Sequence, residues 1–164
     1  MWAFMREAQT KTLSLPNTGQ AISMDLGHAG NIHPQRKQEI GRRLARVALA
    51  RTYGQKIRDT SPAVEKIERE GAGFRVRFNS ANRWRVLTNF SDPVTGFELA
   101  GEDRVFKPAI GVIGDNNTSV LVTSAEVPNP VAVRYCWRDF VVPGLFDHDE
   151  GLPVEQFRSD NWER

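Results

Sequence analysis

The apolar residues of this chain change their spacing partway along it, and that change limits its possible folds more than any other feature. In the first third they recur at three- and four-residue intervals, as at Ile40, Leu44, Val47 and Ala48, the period of a helix with one buried face. Further on they alternate, as in Phe74-Arg75-Val76-Arg77-Phe78 and Val131-Ala132-Val133-Arg134-Tyr135, the period of a strand. Charge shifts at the same place. Residues 1–60 carry ten Lys and Arg against four Asp and Glu, and residues 61–164 carry twelve against sixteen. The net charge of +2 thus divides into a basic front and an acidic remainder, and the chain reads as two regimes.

Composition narrows the classes. With 164 residues, 40% hydrophobic and 26% charged, the chain has a globular balance and enough length for a core. A single cysteine, Cys136, excludes an internal disulfide framework and a multi-cysteine zinc site; lying between Tyr135 and Trp137, it is expected to be buried and inert. No apolar run reaches the roughly 18 residues of a membrane span, so no membrane partner is expected. The opening Met1-Trp2-Ala3-Phe4-Met5-Arg6-Glu7 lacks the basic flank and apolar stretch of a secretory signal, and the compartment stays open.

The first regime reads helix, strand, helix. Trp2 to Gln9 forms a short helical candidate with Trp2, Met5 and Gln9 on one side. Leu15-Pro16-Asn17-Thr18-Gly19 is turn chemistry, Ala21 to Asp25 a short strand, and Gly27 to Asn31 a loop. Pro34 suits the first position of the second helix. Arg36, Lys37, Arg42, Arg43, Arg46 and Arg51 give that helix a basic outer face, and Gly54 ends it. Without a nucleic-acid motif beside them, these arginines read as a solvated face. His33 sits just before the helix, in a loop after a strand, where α/β layers gather function. Pattern alone leaves it either a locally bonded histidine or a general base.

The second regime reads as strands at 74–78, 97–100, 109–113, 119–122 and 131–135, with Gly114-Asp115-Asn116-Asn117 as a hairpin turn. Turn-separated strands of this number suggest a small antiparallel sandwich or jelly roll. Residues 141–164, punctuated by Pro and Gly, are expected to wrap over it.

Asp25-Leu26-Gly27, Asn31-Ile32-His33-Pro34, Lys37 and Gly41-Arg42-Arg43-Leu44-Ala45 together resemble the last catalytic block of sialate O-acetylesterases. That family's pattern runs Asp-Leu-Gly-Asp, a short gap, Asp-Ile-His-Pro, then Lys and Gly-x-Arg-Leu-Ala. Arg6-Glu7-Ala8-Gln9, Leu15 to Gly19, Gly96 to Gly101, Val133-Arg134-Tyr135, Gly151-Leu152-Pro153 and Gln156 to Asp160 extend the resemblance, in order, over most of the chain. It implies an α+β fold: residues 1–57 as the C-terminal helix–strand–helix piece of a flavodoxin-like SGNH esterase domain, and residues 58–164 as an antiparallel β-sandwich (jelly-roll-like) domain. The implied activity is removal of O-acetyl groups from sialic acids or related glycans, with an acetylated glycan as substrate.

An SGNH esterase pairs a serine with a histidine oriented by an acid. By resemblance His33 is that general base. Asn31 stands at the position of the family's acid, where an amide can hydrogen-bond the imidazole but cannot offset its charge. Asp25 matches another family aspartate, at a strand end, and is a possible substitute acid. His28 occupies the place of the family's second aspartate. Ser14, Ser23, Ser61, Ser80, Ser91, Ser119, Ser124 and Ser159 all lack the family's nucleophile context, so no nucleophile is assigned in this chain. The expectation is a fragment that belongs with an N-terminal esterase half and leaves apolar residues of 1–57 exposed. Neither cofactor nor metal is expected, since the spacings of Asp25, His28 and His33, and of Asp147-His148-Asp149, match no common ligand pattern. The reading from another class is a non-catalytic β-sandwich module that binds a glycan or a protein, with Trp84, Trp137 or Trp162 stacking on sugar rings; the same tryptophans equally suit packing.

Overall fold

The computed structural model describes residues 1–60, 62–79, 86–88, 93–114 and 117–163. Trp84, Ser61, Ser80, Ser91 and the turn residues Asp115 and Asn116 lie outside the described residues. Two helices come first, α1 over Trp2–Lys11 and α2 over Lys37–Arg51, with 3-10 turns at Thr12–Ser14 and Met24–Leu26. Nine strands follow: β1 Val64–Glu70, β2 Gly73–Phe78, β3 Val86–Thr88, β4 Val94–Ala100, β5 Lys107–Gly114, β6 Ser119–Thr123, β7 Ala132–Tyr135, β8 Phe146–Asp147 and β9 Phe157–Arg158.

Seven strands make one antiparallel sheet in the order β1-β2-β6-β5-β4-β7-β9, and β3 pairs with β8 in a small ladder. Alternation sends Phe74, Val76 and Phe78 of β2, Phe97 and Leu99 of β4, Val120 and Val122 of β6, and Val133 and Tyr135 of β7 into one core. Phe157 of β9 packs edge-on against Phe78 of β2, with ring centroids 6.3 Å apart, although the two strands lie toward opposite edges of the sheet. The sandwich-like module is therefore realised as a sheet curled nearly into a barrel. The wrap over residues 141–163 closes it. Leu145 and Val154 join the core, and the Tyr135 hydroxyl accepts the N–H groups of Gly144 (3.0 Å) and Leu145 (2.9 Å). β1 was not expected from pattern, because Val64-Glu65-Lys66-Ile67-Glu68-Arg69-Glu70 is a charge-rich edge strand with little alternation.

The helical part departs from the sequence pattern in four places. The strand expected over Ala21–Asp25 is absent: no backbone–backbone hydrogen bond among the described residues involves Gly19 to Ile22, and the chain turns through a 3-10 bend at Met24–Leu26. A strand needs a ladder partner, and none lies alongside. Pro34 does not open α2, which begins three residues later at Lys37. The inward face of α1 is Ala3, Arg6, Glu7 and Thr10, not Trp2, Met5 and Gln9. Ala3 is fully buried, and Arg6, Glu7 and Thr10 hydrogen-bond to Gln156, Arg158 and Glu155. In α2 it is Arg43 and Val47 that are buried while Leu44 is exposed. Arg43 thus leaves the basic outer face on which its spacing had placed it, for a reason found in the site.

Candidate active site

The loop between the Met24–Leu26 turn and α2 carries His33. It is pinned at its start and within. At its start Leu26 is buried and its N–H donates to the Ser23 carbonyl at 3.0 Å. Within it, the Gly30 N–H donates to His28 Nδ1 (3.1 Å) and the Asn31 N–H to the His28 carbonyl (3.3 Å), closing a tight turn. Asn31 Oδ1 then accepts the backbone N–H of His33 at 2.8 Å, an Asx turn that short polar side chains favour. His33 is exposed, and among the described residues its ring makes no hydrogen bond.

The sequence-derived residues are thus partly assembled. Asn31 and His33 meet, through backbone rather than through the imidazole. Asp25 faces elsewhere. Its Oδ1 and Oδ2 accept from Arg43 Nη1 (2.6 Å) and Nη2 (2.7 Å), a bidentate fork that matches guanidinium to carboxylate. Arg43 Nη1 also donates to the Ile22 carbonyl (2.7 Å), and Nε to Glu39 Oε1 (2.9 Å). Glu39, held chiefly by Arg42 and also by Arg43, ionises at about 2 despite the opposing cost of burial. The signal for this cluster was the i, i+4 pair Glu39–Arg43; its tertiary partner Asp25 was legible only as a candidate acid.

Ser14 donates to the Lys11 carbonyl, Ser124 to that of Pro108, and Ser159 Oγ accepts the Val133 N–H. Ser119 is buried in β6. Ser23 lines the wall of an open groove of about 740 Å³ between α1, the 19–32 segment and Phe140, whose rim includes Asn31 and Ile32. Trp2 (59% exposed), Ile32 (83%) and Leu44 (51%) line the same groove. Met5, Leu15 and Tyr53 are also exposed. Glu155 also lines the groove; burial pushes its carboxyl up while Thr10 and Gln20 hydrogen-bond it.

The other candidates serve packing. Trp137 is buried against Phe4 in an edge-on pair at 5.5 Å, so it offers no face to a sugar. Trp162 is half-buried, with Phe106 beside it and Arg104 over its ring at 5.1 Å. Asp147 is fully buried: its Oδ1 accepts the N–H groups of Asp149 and Glu150, and its Oδ2 pairs with Arg58 at 2.8 Å. Burial raises the Cys136 thiol to about 12, which leaves it unreactive at neutral pH. Among the described residues no group of three or more His, Cys, Asp or Glu side chains comes together as a metal site, and no helix is long and apolar enough to cross a membrane.

No protein-family model and no curated protein matches this chain. Among solved structures it is similar to the crystal structure of a carbohydrate acetylesterase from Xanthomonas citri, at 37% identity and a TM-score of 0.88. The likeness covers 98% of this chain and 37% of that one. The chain therefore spans a little over a third of that acetylesterase's length, and over nearly all of its own residues it has the fold of the part it spans.

Proposed function

We propose that the chain is the histidine-bearing portion of a carbohydrate esterase of the sialate O-acetylesterase (SGNH) type. In this reading residues 1–57 complete an esterase domain and residues 58–164 form the β module that follows. The observation that carries it is the 37% identity to a carbohydrate acetylesterase over 98% of this chain. The exposed loop with an imidazole free of intramolecular hydrogen bonds among the described residues supports it. So do the bare apolar groups Trp2, Ile32 and Leu44, which a covering half would bury.

The chemistry follows from the residue types. A serine from a segment outside these residues attacks the acetyl carbonyl while His33 takes its proton, and the imidazolium then gives that proton to the departing sugar oxygen. His33 then deprotonates a water that attacks the acyl-serine, and the imidazolium returns that proton to the serine oxygen as the acyl–oxygen bond breaks and acetate leaves. The negative oxygen of each tetrahedral intermediate needs donors aimed at it, and these also belong to the half that carries the serine.

The test mixes the purified chain with the remaining portion of the Xanthomonas citri acetylesterase and follows p-nitrophenyl acetate. Turnover is expected from the mixture and not from either piece, and His33→Ala abolishes it. Turnover by the chain alone that His33→Ala abolishes would overturn the missing nucleophile. A mixture without activity, or one indifferent to His33→Ala, would overturn the assignment. Acetylated sialic acids and acetylated neutral sugars offered side by side then decide the substrate class.

A further inference from the structure

We propose that Arg43 is a positioning residue for His33, acting through Asp25 on the loop that presents the imidazole; this rests on His33 being the general base. Arg43 is an unusual occupant of its site. It is 4% exposed, the most buried of the arginines described on α2, with Arg46 next and Arg42 and Arg51 reaching solvent, and a guanidinium is buried only where its donors are met. Four hydrogen bonds meet them, and their targets are not scattered: Ile22, both oxygens of Asp25, and Glu39. Ile22 stands two residues ahead of the 3-10 turn Met24–Leu26 and Asp25 is that turn's middle residue, immediately before the loop. Glu39 lies in the first turn of α2, immediately after it. One side chain thus ties together the two points where the chain enters and leaves the excursion Gly27–Arg36.

The consequence is geometric. Among the described residues the backbone bonds within the excursion are short-range: His28 to Gly30 and Asn31, Asn31 to His33, and, at its end, the Gln35 and Arg36 carbonyls to the N–H groups of Lys37 and Ile40. They fix the loop's internal shape but not its direction from the protein. That direction is set at its base, where the planar fork of Arg43 fixes both position and angle of the Asp25 carboxylate. A lysine cannot reproduce this, because a single ammonium lacks the fork. Asp25 accordingly acts as the counter-ion of the brace.

The experiment uses the chain itself and then the reconstituted mixture. In ¹H–¹⁵N spectra, Arg43→Ala is expected to move the amide signals of Gly30, Asn31 and His33 toward disordered values and leave the β2, β4, β6 and β7 amides in place. Added guanidinium chloride at tens of millimolar should return them by refilling the fork's site. Arg43→Lys should fail to. In the reconstituted esterase the same variant lowers kcat on the order of 10²-fold, the cost of about 1 Å of misplacement, with KM unchanged. Loop signals unmoved by Arg43→Ala would overturn the proposal. So would shifts spread equally through the sheet, which make Arg43 a general staple, or a KM change with kcat intact. If the wild-type mixture is inactive, the reading of His33 fails, and the loop signals still decide whether Arg43 sets the loop.

Discussion

Asn31 Oδ1 accepts the backbone N–H of His33 at 2.8 Å, so the side chain two residues before the proposed general base braces the loop. A carboxylate at that position would keep the backbone bond through one oxygen and present the other to the imidazolium. Asn31→Asp is therefore expected to raise kcat of the reconstituted esterase. The scale is set by serine proteases, where the reverse change costs about 10⁴ in turnover; even a tenth of that logarithm is measurable. Steady-state assays of the two mixtures check it, and equal kcat values would mean that another group orients His33.

Arg158 holds the first helix to the sheet. Its Nε and Nη2 donate to the two oxygens of Glu7 at 2.8 and 2.9 Å, and its guanidinium lies 4.8 Å from the ring centroid of Trp137 and 5.1 Å from that of Phe4. Removing it strands a half-buried carboxylate and two ring faces. Arg158→Ala should cost about 2 kcal/mol of stability, read from the urea midpoint. It should also speed tryptic cleavage at Lys11 by freeing α1. An unchanged midpoint and cleavage rate would leave α1 docking to Ala3, Arg6 and Thr10 and their partners Gln156 and Glu155.

What could be read in advance, and what could not, follows from where each element finds its partner. Alternation at 74–78 and 119–122 reports a face buried within the chain, and β2 and β6 lie there, register-paired from Gly73–Thr123 to Arg77–Ser119. Ala21–Asp25 has strand composition but no strand beside it. The stripe Ile40, Leu44, Val47 and Ala48 marks an apolar face, yet only Val47 is buried. In both cases local periodicity registers an apolar face, and only tertiary packing decides whether anything covers it. Arg43 eluded the pattern for the opposite reason. Its burial is decided by Asp25, 18 positions away, and helical periodicity carries no information about a partner at that distance. That His33 lies in a loop before the second helix was legible from the glycines and Pro34 around it, whereas the bonds of Asn31 and Asp25 depend on directions that spacing does not specify.

The acid limb of the stability curve should belong largely to the Arg-paired carboxylates. Glu39 is held down to about 2, chiefly by its hydrogen bond to Arg42, and Glu7 is lowered chiefly by that to Arg158. A lowered folded value contributes stability that is fully present above the unfolded value of roughly 4.3 and is lost as pH falls through the folded one. The chain should therefore lose stability steadily from about pH 4.5 to about pH 2. Glu39→Gln should flatten that limb. Glu155 has the opposite sign: burial raises it, so its contribution is complete at low pH and is lost as pH rises through its folded value. Glu155→Gln should consequently help at pH 7 and do little at pH 3. Urea midpoints of the two variants across that range check both signs, and parallel curves would rule them out.

Gly41 sits inside α2, and a Cβ built there meets nothing within 4 Å. Glycine in a helix interior costs about 1 kcal/mol relative to alanine, a cost that packing in this chain does not explain. Leu44, Ala45 and Ala48 share its exposed side of the helix, making a bare, small-residue apolar strip that a second surface could approach closely. Gly41→Ala should therefore stabilise the isolated chain by about 1 kcal/mol and yet weaken reconstitution with the serine-bearing half, since the added methyl intrudes where the surfaces meet. Thermal melts of the chain alone and titration of the partner portion against activity separate the two effects. A gain in stability with undiminished reconstitution would rule out a close approach at Gly41.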